Sequence, residues 1–185
     1  MKYCSECGAP VSLKVPAGDN LPRYVCERCQ TIHYQNPKLV VGCIPERGNE
    51  VLLCRRAINP RYGLWTLPAG FMENGETTAA AAAREAREEA NADVNIGELF
   101  SLFNLPHVNQ VYLIFHGQLL NSDYAPGTES LEVKLFREAD IPWNELAFPA
   151  IQRTLRYYYQ DRQMGRLTLH LGDITVPADP GPGSC

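Results

Sequence analysis

Residues 70–92 read GFMENGETTAAAAAREAREEANA, and this stretch decides how the chain folds. Five residues separate Gly70 from Glu76, and seven separate Glu76 from Arg84. The run of alanines at positions 79–83 favours helix and allows close packing against a sheet. The stretch therefore predicts a loop followed by a helix from about Thr77 to Ala90.

Three carboxylates crowd one face of this predicted helix. Residues three and four positions apart share a helix face, so Glu85, Glu88 and Glu89 point the same way. Like charges at this spacing destabilise a helix unless a cation lies between them. Hard oxygen ligands suit Mg²⁺ or Mn²⁺, and Mg²⁺ completes its shell with water and substrate phosphate. The alternative is a solvated acidic face balanced by Arg84 and Arg87.

The loop and helix together resemble the signature of the Nudix hydrolases: Gly, five residues, Glu, seven residues, then Arg-Glu-aliphatic-x-Glu-Glu-x-Gly-aliphatic. Position by position, the resemblance implies a catalytic Mg²⁺ or Mn²⁺ site and an ion pair that braces the loop. The implied metal ligands are Glu85, Glu88, Glu89 and the carbonyl of Gly70, and the implied bracing pair is Glu76 and Arg84.

This chain departs from the signature at the end of the helix. The second glycine of the pattern is Asn91 here, and the aliphatic positions are Ala86 and Ala92. Asn is the next-best residue for the left-handed turn that closes a helix, so we expect the backbone geometry to be kept.

Four cysteines near the N-terminus predict a structural metal site. Two Cys-x-x-Cys pairs lie eighteen residues apart, a spacing that fits tetrahedral zinc: Cys4, Cys7, Cys26 and Cys29. A domain of residues 1–35 is too small for a hydrophobic core, so the metal supplies most of its folding free energy. A redox thiol pair is the alternative for either pair alone. His33 is interpreted as a surface or hydrogen-bonded histidine rather than a ligand.

The other cysteines have no metal role in this interpretation. Cys43 and Cys54 lie in apolar runs and are predicted to be buried. Cys185 ends a segment rich in Pro and Gly, for which disorder is expected over residues 176–185.

Composition limits the class of protein. The chain has 185 residues, 45% of them hydrophobic, and a net charge of −4. This balance predicts one main domain with a small appendage and argues against nucleic acid as a partner. No apolar run is long enough for a membrane span, and no apolar signal region precedes Cys4. We therefore expect a cytoplasmic protein.

Further elements predict an α/β domain over residues 36–175. Strands are expected at 39–44 and 50–54, joined by a hairpin, and a second helix is expected at 149–163, with Pro149 in its first turn. Three more strands are expected, at 96–103, 110–119 and 130–136. Helices on both faces of a mixed sheet form the α/β/α sandwich that the resemblance implies.

Several residues outside the signature are candidates for catalysis or substrate binding. Related enzymes place a metal-binding or basic Glu in a loop just before the strand expected at 130–136. Glu132 is therefore the first candidate for a base and metal ligand and Glu129 the second, and an ordinary loop acid is the alternative for either residue. Arg55 or Arg56 could contact phosphate, since a guanidinium matches phosphate oxygens, or could be surface charge. Two further candidates for substrate contact are Trp65, with burial in the core as the alternative, and His107.

Similarity beyond the signature covers most of residues 3–171, and it is carried by the ribbon and by the stretches 35–38, 53–56, 63–70, 112–115 and 125–132. Together these resemble the zinc-ribbon FAD and ADP-ribose diphosphatases. The resemblance implies release of AMP from a small dinucleotide and a homodimer. NADH diphosphatases and hydrolases of nucleotide-capped RNA are the alternative, although the Ser-Gln-Pro-Trp-Pro-Phe-Pro motif of the NADH enzymes is absent. A different class, a binding module with an inert fold, is disfavoured by the intact set of glutamates.

Overall fold

The computed structural model describes residues 1–175, which divide into a unit from Met1 to Pro37 and a second unit that begins at Lys38. The expected disordered tail, residues 176–185 with Cys185, lies outside the described residues.

The first unit is a three-stranded antiparallel sheet. Its strands are β1 (Val11–Lys14), β2 (Arg23–Cys26) and β3 (Ile32–His33), in the order β1-β2-β3. Within residues 1–37, only Cys4, Val25 and Cys26 are buried. Two of these are the predicted ligands, so this unit has almost no apolar core of its own.

The second unit is built on an eight-stranded sheet with two helices. The main order is β10-β5-β4-β9-β8-β11, with β6 paired to β5 and β7 to β4. The pairs β4–β9 and β8–β11 are parallel and the other pairs antiparallel, so the sheet is mixed as predicted. The elements are β4 (Lys38–Arg47), β5 (Glu50–Arg56), β6 (Trp65–Thr66), β7 (Ala69–Phe71), α1 (Thr78–Ala90), β8 (Val94–Leu105), β9 (Gln110–Leu119), β10 (Ser130–Arg137), α2 (Pro149–Gln163) and β11 (His170–Asp173).

The two helices cover opposite faces of this sheet. Val41 and Cys43 of β4 pack with the alanines of α1, whereas Val40 and Ile44 of the same strand pack with α2. This alternation follows from the two-residue period of a strand. The predicted α/β/α sandwich is confirmed, and Cys43 and Cys54 are buried as expected.

Helix α1 begins and ends close to its predicted limits. The Thr77 hydroxyl accepts a hydrogen bond from the Ala80 N–H at 3.2 Å and caps the first turn. Asn91 takes the left-handed conformation, with φ 47° and ψ 33°, and closes the last turn. The expected role of Asn91 at the helix end is confirmed.

Strands β4 and β5 separate soon after their hairpin. They pair at Glu46 with Val51 and at Arg47 with Glu50, after which β7 pairs with β4 and β6 with β5. A Cβ at Gly42 would overlap the Pro68 carbonyl and Ala69, so a glycine allows this close approach. The segment with Gly70 is thereby inserted between the diverging strands and lies against α1. The sequence did not predict β6, β7 or β11, because these strands of two to four residues carry too little periodic pattern.

Within residues 1–175, neither helix is long and apolar enough to cross a membrane.

Candidate active site

Two of the three helix glutamates lie in the interior. Glu85 and Glu89 are 7% and 6% exposed, whereas the side chain of Glu88 is 58% exposed. The Glu85 carboxylate lies directly against Gly70, where a Cβ would overlap it. The spacing in the sequence therefore brings the predicted carboxylates to one place, beside the glycine of the preceding loop.

Glu89 gives the strongest indication that these carboxylates fit a cation. Its Oε2 atom is buried and has no hydrogen-bond partner within residues 1–175. Burial, together with the negative charges of Glu85 and Glu129, raises the pKa of Glu89 to about 8, although Arg56 opposes the shift. A buried carboxylate oxygen without a partner is costly, and a bound divalent cation would remove that cost. The residues present therefore fit a hard metal ion.

The pKa of Glu85 is also set by burial against a neighbouring arginine. Burial raises its pKa, while the hydrogen bond and the charge of Arg84 lower it. Arg84 Nη1 donates to one Glu85 oxygen, Oε1, at 2.7 Å.

Arg84 joins the loop to the helix. Its guanidinium donates to Glu76 at 3.0 and 2.8 Å, to Glu88 at 2.9 Å and to the Phe71 carbonyl at 3.2 Å, besides the bond to Glu85. The hydrogen bond from Arg84 is the largest cause that lowers the pKa of Glu76 to about 2. The geometry matches the bracing that the resemblance implies, because one planar fork satisfies both the loop and the helix.

Of the two predicted acids outside α1, Glu129 is the one near the carboxylates. Its charge raises the pKa values of Glu85 and Glu89, and it lies in the turn before β10. Glu132, the first candidate from the sequence, lies on β10 with an oxygen 3.8 Å from Arg55 Nη1. The register explains this, because Glu132 pairs with Arg55 across β10 and β5.

The two arginines of β5 have different environments. Arg56 is 8% exposed, donates through Nε to the Pro60 carbonyl at 2.9 Å and lies over the Phe148 ring at 5.1 Å. Its positive charge lowers the pKa of Glu89, against the effect of burial. Arg55 is half exposed and donates to the Gly63 carbonyl at 2.9 Å.

Two predicted substrate contacts lie elsewhere. Trp65 is 6% exposed and packs edge-on against Phe136 with ring centroids 4.9 Å apart, so its ring belongs to the core. This burial matches the alternative of the sequence analysis, in which Trp65 is a core residue. His107 lies in the exposed turn Pro106–Val108 and, within residues 1–175, shares no hydrogen bond or ion pair with the carboxylates.

Sequence reasoning missed Gly127. A Cβ there would overlap the Glu88 carbonyl, and the Gly127 N–H donates to the Glu89 carbonyl at 3.0 Å. The Pro-Gly pair at 126–127 marks a turn, but only the tertiary structure shows that this turn touches the end of α1.

The four predicted zinc ligands converge in the first unit. Their sulfur atoms lie within 4.8 Å of one another, and among the described residues no other group of His, Cys, Asp and Glu is assembled so closely. The Cys4–Cys29 and Cys7–Cys26 sulfur distances are 3.6 and 3.5 Å. A tetrahedral ion with Zn–S bonds of 2.3 Å has ligands about 3.8 Å apart, so the set fits zinc. His33 Nε2 lies 3.3 Å from the Cys4 sulfur and makes a hydrogen bond to it.

Comparison with known proteins supports the resemblance of both units to the Nudix family. A family model described as NUDIX domain matches residues 36–158, and another, described as Nudix N-terminal, matches residues 2–35. The crystal structure of a NUDIX hydrolase from Nitrosomonas europaea is 58% identical, with a TM-score of 0.92 over 94% of this chain and 99% of that chain.

Two curated relatives have more specific names. The NAD-capped RNA hydrolase NudC of Stutzerimonas stutzeri is 30% identical over 173 residues, which cover 89% of this chain and 58% of the relative. The ADP-ribose pyrophosphatase of Methanocaldococcus jannaschii is 31% identical over 121 residues, which cover 62% of this chain and 69% of the relative. The chain thus spans little more than half the length of the NudC relative. From the family matches and the loop-helix geometry, the chain belongs to the Nudix hydrolases and carries their N-terminal zinc-ribbon domain.

Proposed function

We propose that this chain hydrolyses the pyrophosphate bond of a nucleoside diphosphate derivative and releases AMP, with Mg²⁺ or Mn²⁺ held by Glu85, Glu88 and Glu89. The observation that carries the proposal is the buried Oε2 of Glu89, which has no hydrogen-bond partner within residues 1–175. Glu85 lies one helix turn away, with its carboxylate against Gly70. A divalent cation bound there supplies charge neutralisation of the phosphates and lowers the pKa of a coordinated water.

The chain's own residues hold and orient the reactants. Arg84 occupies Glu85 Oε1 and Glu88 Oε2 and leaves each of these carboxylates a second oxygen for metal. Glu129 is the proposed general base, because its charge reaches the metal-binding carboxylates from a separate loop. Arg56 is the proposed phosphate contact. Within residues 1–175 its guanidinium donates through Nε to the Pro60 carbonyl, and its two Nη atoms are left to bind phosphate oxygens.

For the substrate, we propose an NAD-type end, either the free dinucleotide or the cap of an RNA. The support is the name of the NudC relatives, whose similarity covers 89% of this chain in three cases. This proposal takes the alternative from the sequence analysis in preference to FAD or ADP-ribose. It also revises the expectation that nucleic acid is not a partner, because a capped RNA presents the same pyrophosphate.

ADP-ribose, with FAD, is the second candidate. The relative from Methanocaldococcus jannaschii is named an ADP-ribose pyrophosphatase, and the motif of the NADH enzymes is absent from this chain. All of these substrates join adenosine through a pyrophosphate to a second group. The same carboxylates therefore serve each of them, and the loops decide between them.

A panel of substrates tests the assignment. NADH, NAD⁺, ADP-ribose, FAD and a short NAD-capped RNA are compared at equal concentration with Mg²⁺, with Mn²⁺ and with EDTA, and AMP or 5′-phosphorylated RNA is quantified. We expect metal-dependent cleavage, with the highest kcat/KM for an NAD-type substrate. A tenfold higher kcat/KM for ADP-ribose or FAD, about 1.4 kcal/mol of transition-state preference, transfers the assignment to the second candidate. No cleavage of any substrate with either metal contradicts the proposal as a whole.

We also propose that Zn²⁺ binds the four cysteines, that residues 1–35 form the ribbon and residues 36–175 the hydrolase domain, and that the protein is a homodimer. The distances between the sulfur atoms support the zinc site, and the division of the structure after Pro37 supports the two domains. The dimer rests on the resemblance alone. Metal analysis of the purified protein, limited proteolysis and light scattering test the three in turn.

A further inference from the structure

The end of α1 is tied to the loop that precedes β10. The Ala125 N–H donates to the Ala90 carbonyl at 2.9 Å, and the Gly127 N–H donates to the Glu89 carbonyl at 3.0 Å. Carbonyls in the last turn of a helix have no partner within the helix, so this loop satisfies them. The helix that carries the carboxylates and the loop that carries Glu129 are therefore joined directly.

Asn91 adds a contact that the glycine of the family pattern cannot make. Its backbone is left-handed, a conformation that glycine adopts at no steric cost. Its side-chain Nδ2 donates to the Ala125 carbonyl at 3.0 Å and approaches the Pro126 carbonyl at 3.4 Å. The closure of the helix needs only the backbone, so the carboxamide has a separate effect, which is to hold the loop.

The contact lies close to the proposed base. Glu129 follows Gly127 by two residues, and the Ser130 N–H donates to the Gly127 carbonyl at 3.2 Å. On its other side the Glu129 carbonyl accepts the Ala57 N–H at 2.8 Å. A displacement at Ala125 and Pro126 is therefore transmitted to Glu129 through a short, hydrogen-bonded turn.

We propose that Asn91 is a positioning residue: its carboxamide sets the place of the Ala125–Glu129 turn, and so of the Glu129 carboxylate relative to Glu85 and Glu89. The proposal rests on the proposed function, in which Glu129 accepts the proton of the attacking water. Both hydrogen bonds of the side chain lie at exposed positions, so their loss costs little stability. A misplacement of about 1 Å at a reacting group can nevertheless cost about 100-fold in rate.

The test replaces Asn91 with the residue of the family pattern. Asn91→Gly keeps the left-handed backbone and removes only the carboxamide. We expect kcat to fall at least tenfold with an unchanged KM, because the substrate contacts are elsewhere. The matched control is Asn109→Gly, the same change at another left-handed Asn of this chain, with φ 52°. Both variants lose the same backbone restriction, so their melting temperatures should agree while only Asn91→Gly loses rate.

A double-mutant cycle with Glu129→Gln separates this inference from the proposed function. If Asn91 acts through Glu129, Asn91→Gly changes kcat less than twofold in the Glu129→Gln background. A fully multiplicative loss in the double variant, or a wild-type kcat in Asn91→Gly, overturns the positioning role while Glu129 stays the base. Wild-type kcat in Glu129→Gln overturns the base assignment first, and the positioning role falls with it.

Discussion

At the scale of single residues, the glutamates of α1 differ in their burial and in their pKa values. Glu85 and Glu89 are buried and their pKa values are raised, whereas Glu88, between them in sequence, is exposed. The helix period puts all three on a common stripe, but burial by β7 and the Glu129 turn selects two of them. Substitution of a buried glutamate by glutamine therefore tests whether its negative charge is needed for activity.

Glu89→Gln should abolish most of the turnover and leave stability intact. Glutamine keeps the shape of the carboxyl but removes the negative ligand, so we expect kcat with Mg²⁺ to fall by about 100-fold or more. Because the pKa of Glu89 is already raised to about 8, a neutral side chain suits the metal-free fold. Steady-state rates and thermal melts in EDTA measure both effects. Glu98→Gln, at an exposed position of β8, is the control, and equal rates in the two variants would exclude Glu89 as a ligand.

Arg84 shows at the same scale why its geometry matters more than its charge. Its fork reaches the loop and two helix glutamates at once, and a lysine has a single ammonium group. Arg84→Lys should lower the free energy of unfolding by about 1.5 to 3 kcal/mol, the range for hydrogen bonds to charged groups. Its activity should fall as well, because the loop loses its tie to the helix.

Denaturant unfolding and kcat of Arg84→Lys are compared with those of Arg87→Lys. Arg87 pairs with Asp93 at 2.7 Å, but its side chain is 71% exposed, so the control should change stability by less than about 0.5 kcal/mol. Equal effects of the two substitutions would show that the fork of Arg84 has no special role.

At the scale of elements, β11 is fastened to α2 by a buried acid. Asp161 is 2% exposed and accepts from the Thr168 N–H at 2.7 Å, the Thr168 hydroxyl at 2.9 Å and His170 at 3.0 Å. Burial by itself raises the pKa of Asp161, but the bonds from His170 and Thr168 outweigh it and hold the pKa below its usual range. The hydrogen bond from His170 therefore links β11 to the end of α2.

The depressed pKa predicts a loss of stability in acid. Above the unfolded pKa of about 3.9 the stabilisation is fully present, and it is lost as pH falls through the lower, folded value. Melting temperatures measured between pH 3 and 7 should therefore fall more steeply below about pH 4 in the wild type than in Asp161→Asn. If the melting temperatures of the two proteins fall equally steeply below about pH 4, Asp161 does not contribute to this loss of stability.

At the scale of the whole molecule, the two units depend on different forces. Within residues 1–37 only Val25 is buried besides two cysteines, whereas the second unit has apolar clusters on both faces of its sheet. We therefore expect the free energy of zinc binding to provide most of the folding free energy of the first unit.

Removal of zinc from the full chain should unfold the first unit alone. With a strong zinc chelator, we expect proteases to cleave within residues 1–37 while the remainder stays resistant and keeps its melting transition. Mass spectrometry of the digestion products locates the cuts, and re-addition of Zn²⁺ is the control. The prediction is contradicted if residues 1–37 stay resistant to proteases in a sample that metal analysis shows to be free of zinc.

The sequence by itself determined the features that depend on local spacing. The helix limits, the common face of Glu85, Glu88 and Glu89, the left-handed Asn91 and the paired cysteines follow from the period of a helix, from capping preferences and from metal-ligand spacing. Each of these depends on residues close together in the chain, so a linear pattern contains the information.

Only the tertiary structure decided which groups meet across the chain. The divergence of β4 and β5, the burial of Trp65 and Arg56, the approach of Glu129 instead of Glu132 and the contact of Gly127 with α1 depend on strand register and on packing between distant segments. The pKa of Glu89 belongs to the same group, because burial and three surrounding charges set it. Such pairings leave no periodic trace in the sequence, since their free energy arises only when the sheet and both helices are assembled.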